Sequence, residues 1–334
     1  MTLSIEKTIE AYVKNVTLKQ MIIVPAILLL LSLSILGYTA YKTSVLVEPG
    51  MEKDCNTKVL WGYCIGSPVE LGVEFKGGTV ITFDSEKYPD QLKEEFKSYP
   101  LIQARKELTE SNWRLLQFGP MNESMHNDLT KKINSEYTKV KIDQMGEVIS
   151  KPLQEQAVHA IILSFLGMAI VVYIIFRTFI PSMAVVISAF ADIAFAAAMM
   201  NVFGVVLSLG TVAGLLMLIG YSVDTDILLT TRLLKRKGEL NDKIKGAMRT
   251  GLTMTLTTLA ALVALYLVSS GSYIISSFTR IDIIRDISMV LIFGLIADIV
   301  NTWTTNLGIL KWYMEKGKVK QKHIEKPKKR RQTA

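Results

Sequence analysis

Six stretches of this chain are apolar for long enough to cross a hydrocarbon core, which takes about 20 residues of helix. They run over 21–40, 157–176, 183–203, 205–229, 252–269 and 287–310. In lipid every backbone polar group must be satisfied within its own segment, so these runs are expected to be transmembrane helices. The first run starts late and no small-x-small cleavage site follows it, which favours a retained helix over a removed signal peptide. Half of the residues are hydrophobic, yet a fifth are charged, so a substantial water-facing portion is expected beside the spans.

Residues 41–156 supply that portion. Val69 to Phe83 reads as two strand pieces joined by a bend at Gly77 and Gly78, and Tyr88 to Tyr99 as a helix with Pro89 in its first turn. Trp113 to Phe118 reads as a strand, Asn122 to Tyr137 as a helix and Thr138 to Asp143 as a strand. The order predicts a small α+β domain with helices on one face of a sheet. Residues 1–20 carry apolar side chains at helical spacing, among them Ile9, Tyr12 and Val16, and read as an amphipathic segment on the membrane surface.

The net charge of +8 is concentrated beside the spans and in the tail, in the 235–249 joint and in 311–334. Positive-inside orientation accounts for this without nucleic acid. Both termini are then cytoplasmic and the α+β domain extracytoplasmic, between helices 1 and 2 of a six-helix bundle in the cell membrane. Arg280 and Arg285 fall on the outer side, each near an acid, Asp282 or Asp286. On that side Cys55 and Cys64, the only cysteines, are allowed to form a disulfide, the alternative being two unpaired thiols. Nothing else supplies a metal site, the three histidines are scattered, and no phosphate-binding loop is present, so neither cofactor nor catalytic centre is expected.

Four aspartates interrupt the spans: Asp192, Asp224, Asp226 and Asp298. An ionised group at bilayer depth costs roughly 2.5–3.5 kcal/mol or more, so each needs a partner, a proton or a wet cleft. Asp298, Asn301, Thr302 and Thr305 share one helical face, with Ser222, Thr253 and Thr257 as further polar lining. Asp224 and Asp226 point about 200° apart, so one cleft takes only one of them. Arg249, at the entrance of the fifth span, makes Asp224 the favoured choice. The competing reading is a hydrogen-bond network that only holds the bundle together.

Gly72, Glu74, Phe75, Gly77, Gly78 and Thr79 at the start of the domain, with Gly220, Tyr221 and Ser222 to Asp226 in the fourth span, resemble the SecD/SecF family of protein-export proteins. That family is itself similar to transporters of the resistance-nodulation-division superfamily. The resemblance covers nearly the whole chain. It implies a subunit that pairs with SecD, associates with the Sec translocon and a translocating polypeptide among membrane lipids, and draws on the proton motive force. The alternative within it is a non-transporting scaffold. The bacterial pattern of the fourth-span motif is Gly, Tyr, Ser, an aliphatic residue, Asn, Asp, Thr. Here Asp224, Thr225 and Asp226 take the last three places, in what looks like the archaeal form. The family's coupling Asp is thus replaced by Thr225, and its role passes to Asp224 or Asp226.

Overall fold

The computed structural model describes residues 9, 11–12, 16–46, 59–60, 63–64, 66–106, 112–145, 147–236, 238–270 and 282–324. Helix α1 (Leu18–Lys42) begins at a capping box, in which Thr17 accepts from the Gln20 N–H and Gln20 reaches back to Thr17. A short sheet follows, with β1 (Val45–Leu46) and β2 (Val59–Leu60) both paired to β3 (Tyr63–Cys64). Cys64 lies in β3, while Cys55, and with it the expected bridge, falls outside the described residues.

The larger sheet has the order β5 (Leu101–Lys106), β6 (Trp113–Phe118), β4 (Gly78–Asp84), β7 (Thr138–Met145), with every pair antiparallel. Alternation in β4 turns Ile81 and Phe83 to the face that Leu116 and Phe118 of β6 also supply. Helices α3 (Pro89–Glu95) and α4 (Glu123–Glu136) cover that face with Leu92, Leu129 and Ile133, as the β, α, β, α, β reading expects. Strand β5 was not expected from the sequence. It is an edge strand with a register shift between Leu101 and Gln103, which breaks the alternation that marks a half-buried strand.

The first expected strand piece is instead helix α2 (Val73–Lys76). It ends where Gly77 and Gly78 take φ of 73° and 110°, a backbone open to glycine at little cost. At Gly78 a Cβ would stand 2.2 Å from the Phe118 carbonyl oxygen, so no other residue fits the start of β4.

On the rim of the sheet domain Lys87 bonds Glu95 at 2.7 Å, and the Tyr137 hydroxyl donates to Glu95 at 2.7 Å. Burial pushes Tyr137 up to about 12. Burial also raises the Glu95 carboxyl, but the bonds from Lys87 and Tyr137 outweigh it and hold it below its ordinary value. A lowered carboxylate stabilises the fold above its unfolded pKa, and that contribution is lost as pH falls through the folded value. We expect acid titration of the domain below about pH 4 to cost no more than about 1 kcal/mol here, the Lys87 end being half-exposed. Comparing the acid limb of thermal melts with that of Glu95→Gln checks this.

The chain re-enters the bundle through α5 (Glu147–Phe176), α6 (Phe179–Phe203), α7 (Leu209–Lys235) and α8 (Leu240–Ser269). Helix α9 (Asp282–Asn301) continues through a π-helical turn, Thr302–Asn306, into α10 (Leu307–Ile324). Among the described residues α1, α5, α6, α7 and α8 are long and apolar enough to cross a membrane. Over half of the apolar window of α6 and of α7 is buried, against 17% or less in α1, α5 and α8. Helices α6 and α7 are therefore central, and the other three turn apolar faces outward.

Alanines line the buried face of α6, among them Ala184, Ala189, Ala196 and Ala198, letting neighbouring backbones approach closely. At Gly294 a Cβ would meet Leu218 at 2.2 Å, so α9 lies hard against α7. Arg285, unexpected on its side by charge, pairs with Asp286 at 2.8 Å. Arg280 is outside the described residues.

A strap joins the sheet domain to the bundle. Leu71 forms a parallel bridge with Leu207 in the α6–α7 joint, where the Gly72 N–H donates to the Leu207 carbonyl and the Leu207 N–H to the Glu70 carbonyl, both at 2.7 Å. Asn201, near the end of α6, accepts from the Glu70 N–H and donates to the Pro68 carbonyl and to Thr39 of α1. Beside it Phe75 of α2 packs on Ala157 of α5 and Val212 of α7. Gly72 and Phe75 of the motif thus hold the sheet domain against the bundle, and burial pushes the Glu74 carboxyl above its ordinary value there.

Ile9, Tyr12 and Val16 pack on Leu233, Met248, Trp303 and Leu307, at the end of the bundle opposite the strap.

Candidate carboxylate site in the helical bundle

Three of the four membrane aspartates meet in the middle of the bundle. Asp192 of α6 and Asp226 of α7 are fully buried, and Asp298 of α9 is 1% exposed. On α7, Ser222, Thr225 and Asp226 stand at i, i+3 and i+4, so one face carries all three inward.

Asp192 accepts from the Ser222 hydroxyl at 2.5 Å and from the Asn301 amide at 2.7 Å. The Thr225 hydroxyl reaches both oxygens of Asp298, at 2.9 and 3.0 Å. Asp226 accepts on Oδ1 from Asn306 at 2.7 Å, from Thr302 at 2.9 Å and more distantly from Ser188 at 3.5 Å. The Thr302 hydroxyl also lies 3.0 Å from Asp298. It has one proton, so it serves either Asp226 or Asp298 at a given moment.

All of these partners are neutral, and no lysine, arginine or histidine contacts the three carboxyl groups among the described bonds. Three negative charges crowded together away from water, with no cation, would be held only at great cost. Protonating one removes a charge and supplies a donor where donors are short. The polar atoms Asp226 Oδ2, Asn306 Oδ1 and Thr230 Oγ1 are buried without a described hydrogen-bond partner, so unused capacity gathers on the Asp226 side. Such a site can store protons and pass one between carboxyls that share a hydroxyl.

The structure departs from the sequence reading at several of these residues. Asp224, favoured for the cleft, is exposed on the outer side of α7, as the 200° separation from Asp226 requires. Arg249 is also exposed, and no ion pair joins it to Asp224 among the described contacts. Thr253 and Thr257 are exposed too, and their hydroxyls donate back to the Arg249 and Thr253 carbonyls of their own helix. A threonine whose hydroxyl finds its own preceding turn can face outward at membrane depth, so a run of threonines does not by itself mark a polar lining.

Ser222, Asn301 and Thr302 take the expected positions, whereas Thr305 is only half-buried and Asn306 fills its place. The π-helical turn adds one residue to the face, converting an expected spacing of i+7 from Asp298 into i+8. Ser188, Thr225 and Asn306 are the donors that the sequence did not single out. For Thr225 the signal was present in its spacing of one residue from Asp226 and three from Ser222. Gly220 faces open space, and Tyr221 beside it is exposed, so the first part of that motif points outward with Asp224.

Apolar spanning helices that seal a carboxylate cluster inside, strapped to a folded α+β module, define a multi-spanning membrane protein with a buried polar cluster. Comparison with known proteins narrows the class. The family model described as protein export membrane protein SecD/SecF, C-terminal, matches residues 125–316. The protein-export membrane protein SecF of Methanolacinia petrolearia is 45% identical over 90% of this chain and 95% of its own length. That of Pyrococcus furiosus is 39% identical over 75% of this chain and 83% of its own. SecDF from Thermus thermophilus, a translocon-associated membrane protein, shares the fold with a TM-score of 0.65 at 17% identity, over 89% of this chain and 38% of that longer one. The chain belongs to the SecD/SecF family of protein-export membrane proteins.

Proposed function

We propose that this protein is an accessory subunit of Sec-dependent protein export, acting with a SecD partner at the translocon and driven by the proton motive force. Asp192, Asp226 and Asp298 are the proton-loading site. The observation that carries this reading is three buried carboxyls at membrane depth served only by neutral donors, an arrangement that stability alone does not favour. Relatives named for protein export, and a structural relative described as translocon-associated, support the setting.

In this reading α9, the π-helical turn and α10 form the sixth crossing, the basic end of the bundle is cytoplasmic, and the sheet domain stands outside, where it meets emerging polypeptide. Loading or releasing a proton shifts α6 and α7 relative to α9, and the strap at Asn201 and Leu207 carries that shift outward. Asp224 and Tyr221 stand exposed on one side of α7, where a carboxylate is poorly suited to lipid, and that side faces the partner bundle.

The test is export into sealed vesicles that carry this subunit with its partner. Export is expected to rise with an imposed pH gradient and to lose that rise on adding a protonophore. It is also expected to lose it when Asp192, Asp226 and Asp298 are all changed to asparagine. If the triple variant keeps the full gradient response while deletion of the subunit still impairs export, the protein is a scaffold.

A further inference from the structure

The π-helical turn is held from a distance. In an α-helix the Leu307 N–H would bond the Trp303 carbonyl, but here it is shared between the Thr302 and Thr304 carbonyls on either side. The Trp303 carbonyl instead accepts from the Tyr12 hydroxyl at 2.7 Å. The Trp303 ring is trapped as well, because Gly251 of α8 leaves room where a Cβ would meet it at 2.5 Å. Thr302 and Asn306, at the two ends of the turn, are the shorter-range donors to Asp226. The donors to Asp192, Ser222 and Asn301, lie outside the turn.

We propose that Tyr12 is a positioning residue for Asp226: by donating to the carbonyl that the π-helical turn frees, it keeps Thr302 and Asn306 aimed at that carboxyl. This deepens the proton-loading reading, and it assigns the N-terminal segment a part in the site. Without the Tyr12 hydroxyl the Trp303 carbonyl regains its α-helical partner. Asn306 then turns away from Asp226 by about 100°, one residue of helical rotation.

Carbodiimide modification of buried carboxyls, mapped by mass spectrometry on the full protein in membrane vesicles, reads this geometry whether or not export is proton-driven. Tyr12→Phe keeps the ring and removes only the hydroxyl. It is expected to raise modification of Asp226 on the order of fivefold, the effect of one ordinary hydrogen bond, and to leave Asp192 unchanged. In an Asn306→Leu background, Tyr12→Phe is expected to add little, because the group it positions is already gone. Equal increases at Asp192 and Asp226 would mean general loosening, and an unchanged or lowered Asp226 would mean the hydroxyl positions nothing. Either result, or full additivity with Asn306→Leu, overturns the proposal.

Discussion

Asp226→Asn is expected to lower gradient-dependent export by at least about tenfold while leaving the bundle as stable as before or more so. The two halves of this result have one cause. Asparagine keeps an oxygen for Asn306 and Thr302 at nearly the same volume but has no titratable proton, so the site loses a loading position and like-charge crowding falls. A structural carboxylate would behave differently, since losing it would lower stability and export together. The measurement is paired: thermal unfolding of the purified complex, and export with and without a pH gradient. Asp224→Asn is the contrast, because its side chain points out of the bundle. Its expected effect is weaker co-purification with the partner subunit, with gradient dependence retained in whatever complex remains.

Breaking the strap is expected to disconnect export from the site without unfolding either part. Gly72→Val places a side chain against the Leu207 carbonyl oxygen, from which even the added Cβ would stand only 2.9 Å, and that oxygen is the acceptor for the Gly72 N–H. Losing two to three hydrogen bonds at about 1 kcal/mol each moves the docked equilibrium by about 2–3 kcal/mol, or roughly thirty- to a hundred-and-fiftyfold. The sheet domain keeps its own apolar layer of Ile81, Phe83, Phe96 and Leu116, so its unfolding transition should persist. Asn201→Leu removes the bonds to Glu70, Pro68 and Thr39 and should give a similar loss. Because both variants release the same joint, their combination should fall short of the sum. Undiminished gradient-driven export in Gly72→Val would show that motion is not transmitted through this joint.

Some of the site was legible because it repeats along a single helix. The face of Asp298, Asn301 and Thr302 follows from a rotation of 100° per residue, and the same arithmetic separated Asp224 from Asp226. The arithmetic could not choose between those two. Arg249 suggested Asp224 by plausible proximity, but the choice depends on how α7 is rotated against α6 and α9, which small residues such as Gly294 settle by close approach. Thr253 and Thr257 misled for a related reason, since their hydroxyls are satisfied within α8.

By itself, then, the sequence determined that long apolar helices accompany an α+β domain, the glycine bend at Gly77 and Gly78, and the face that Asp298 presents. These follow from hydropathy, periodicity and backbone sterics, which act over a few turns of chain. Only the tertiary structure decided that Asp226 completes the cluster, that Asn306 replaces Thr305 as its donor, and that the motif at Gly72 grips the α6–α7 joint. Each of these depends on groups far apart in the chain, such as Tyr12 and Trp303 at a separation of 291 residues. Helical periodicity fixes angles within a helix and says nothing of what stands opposite it.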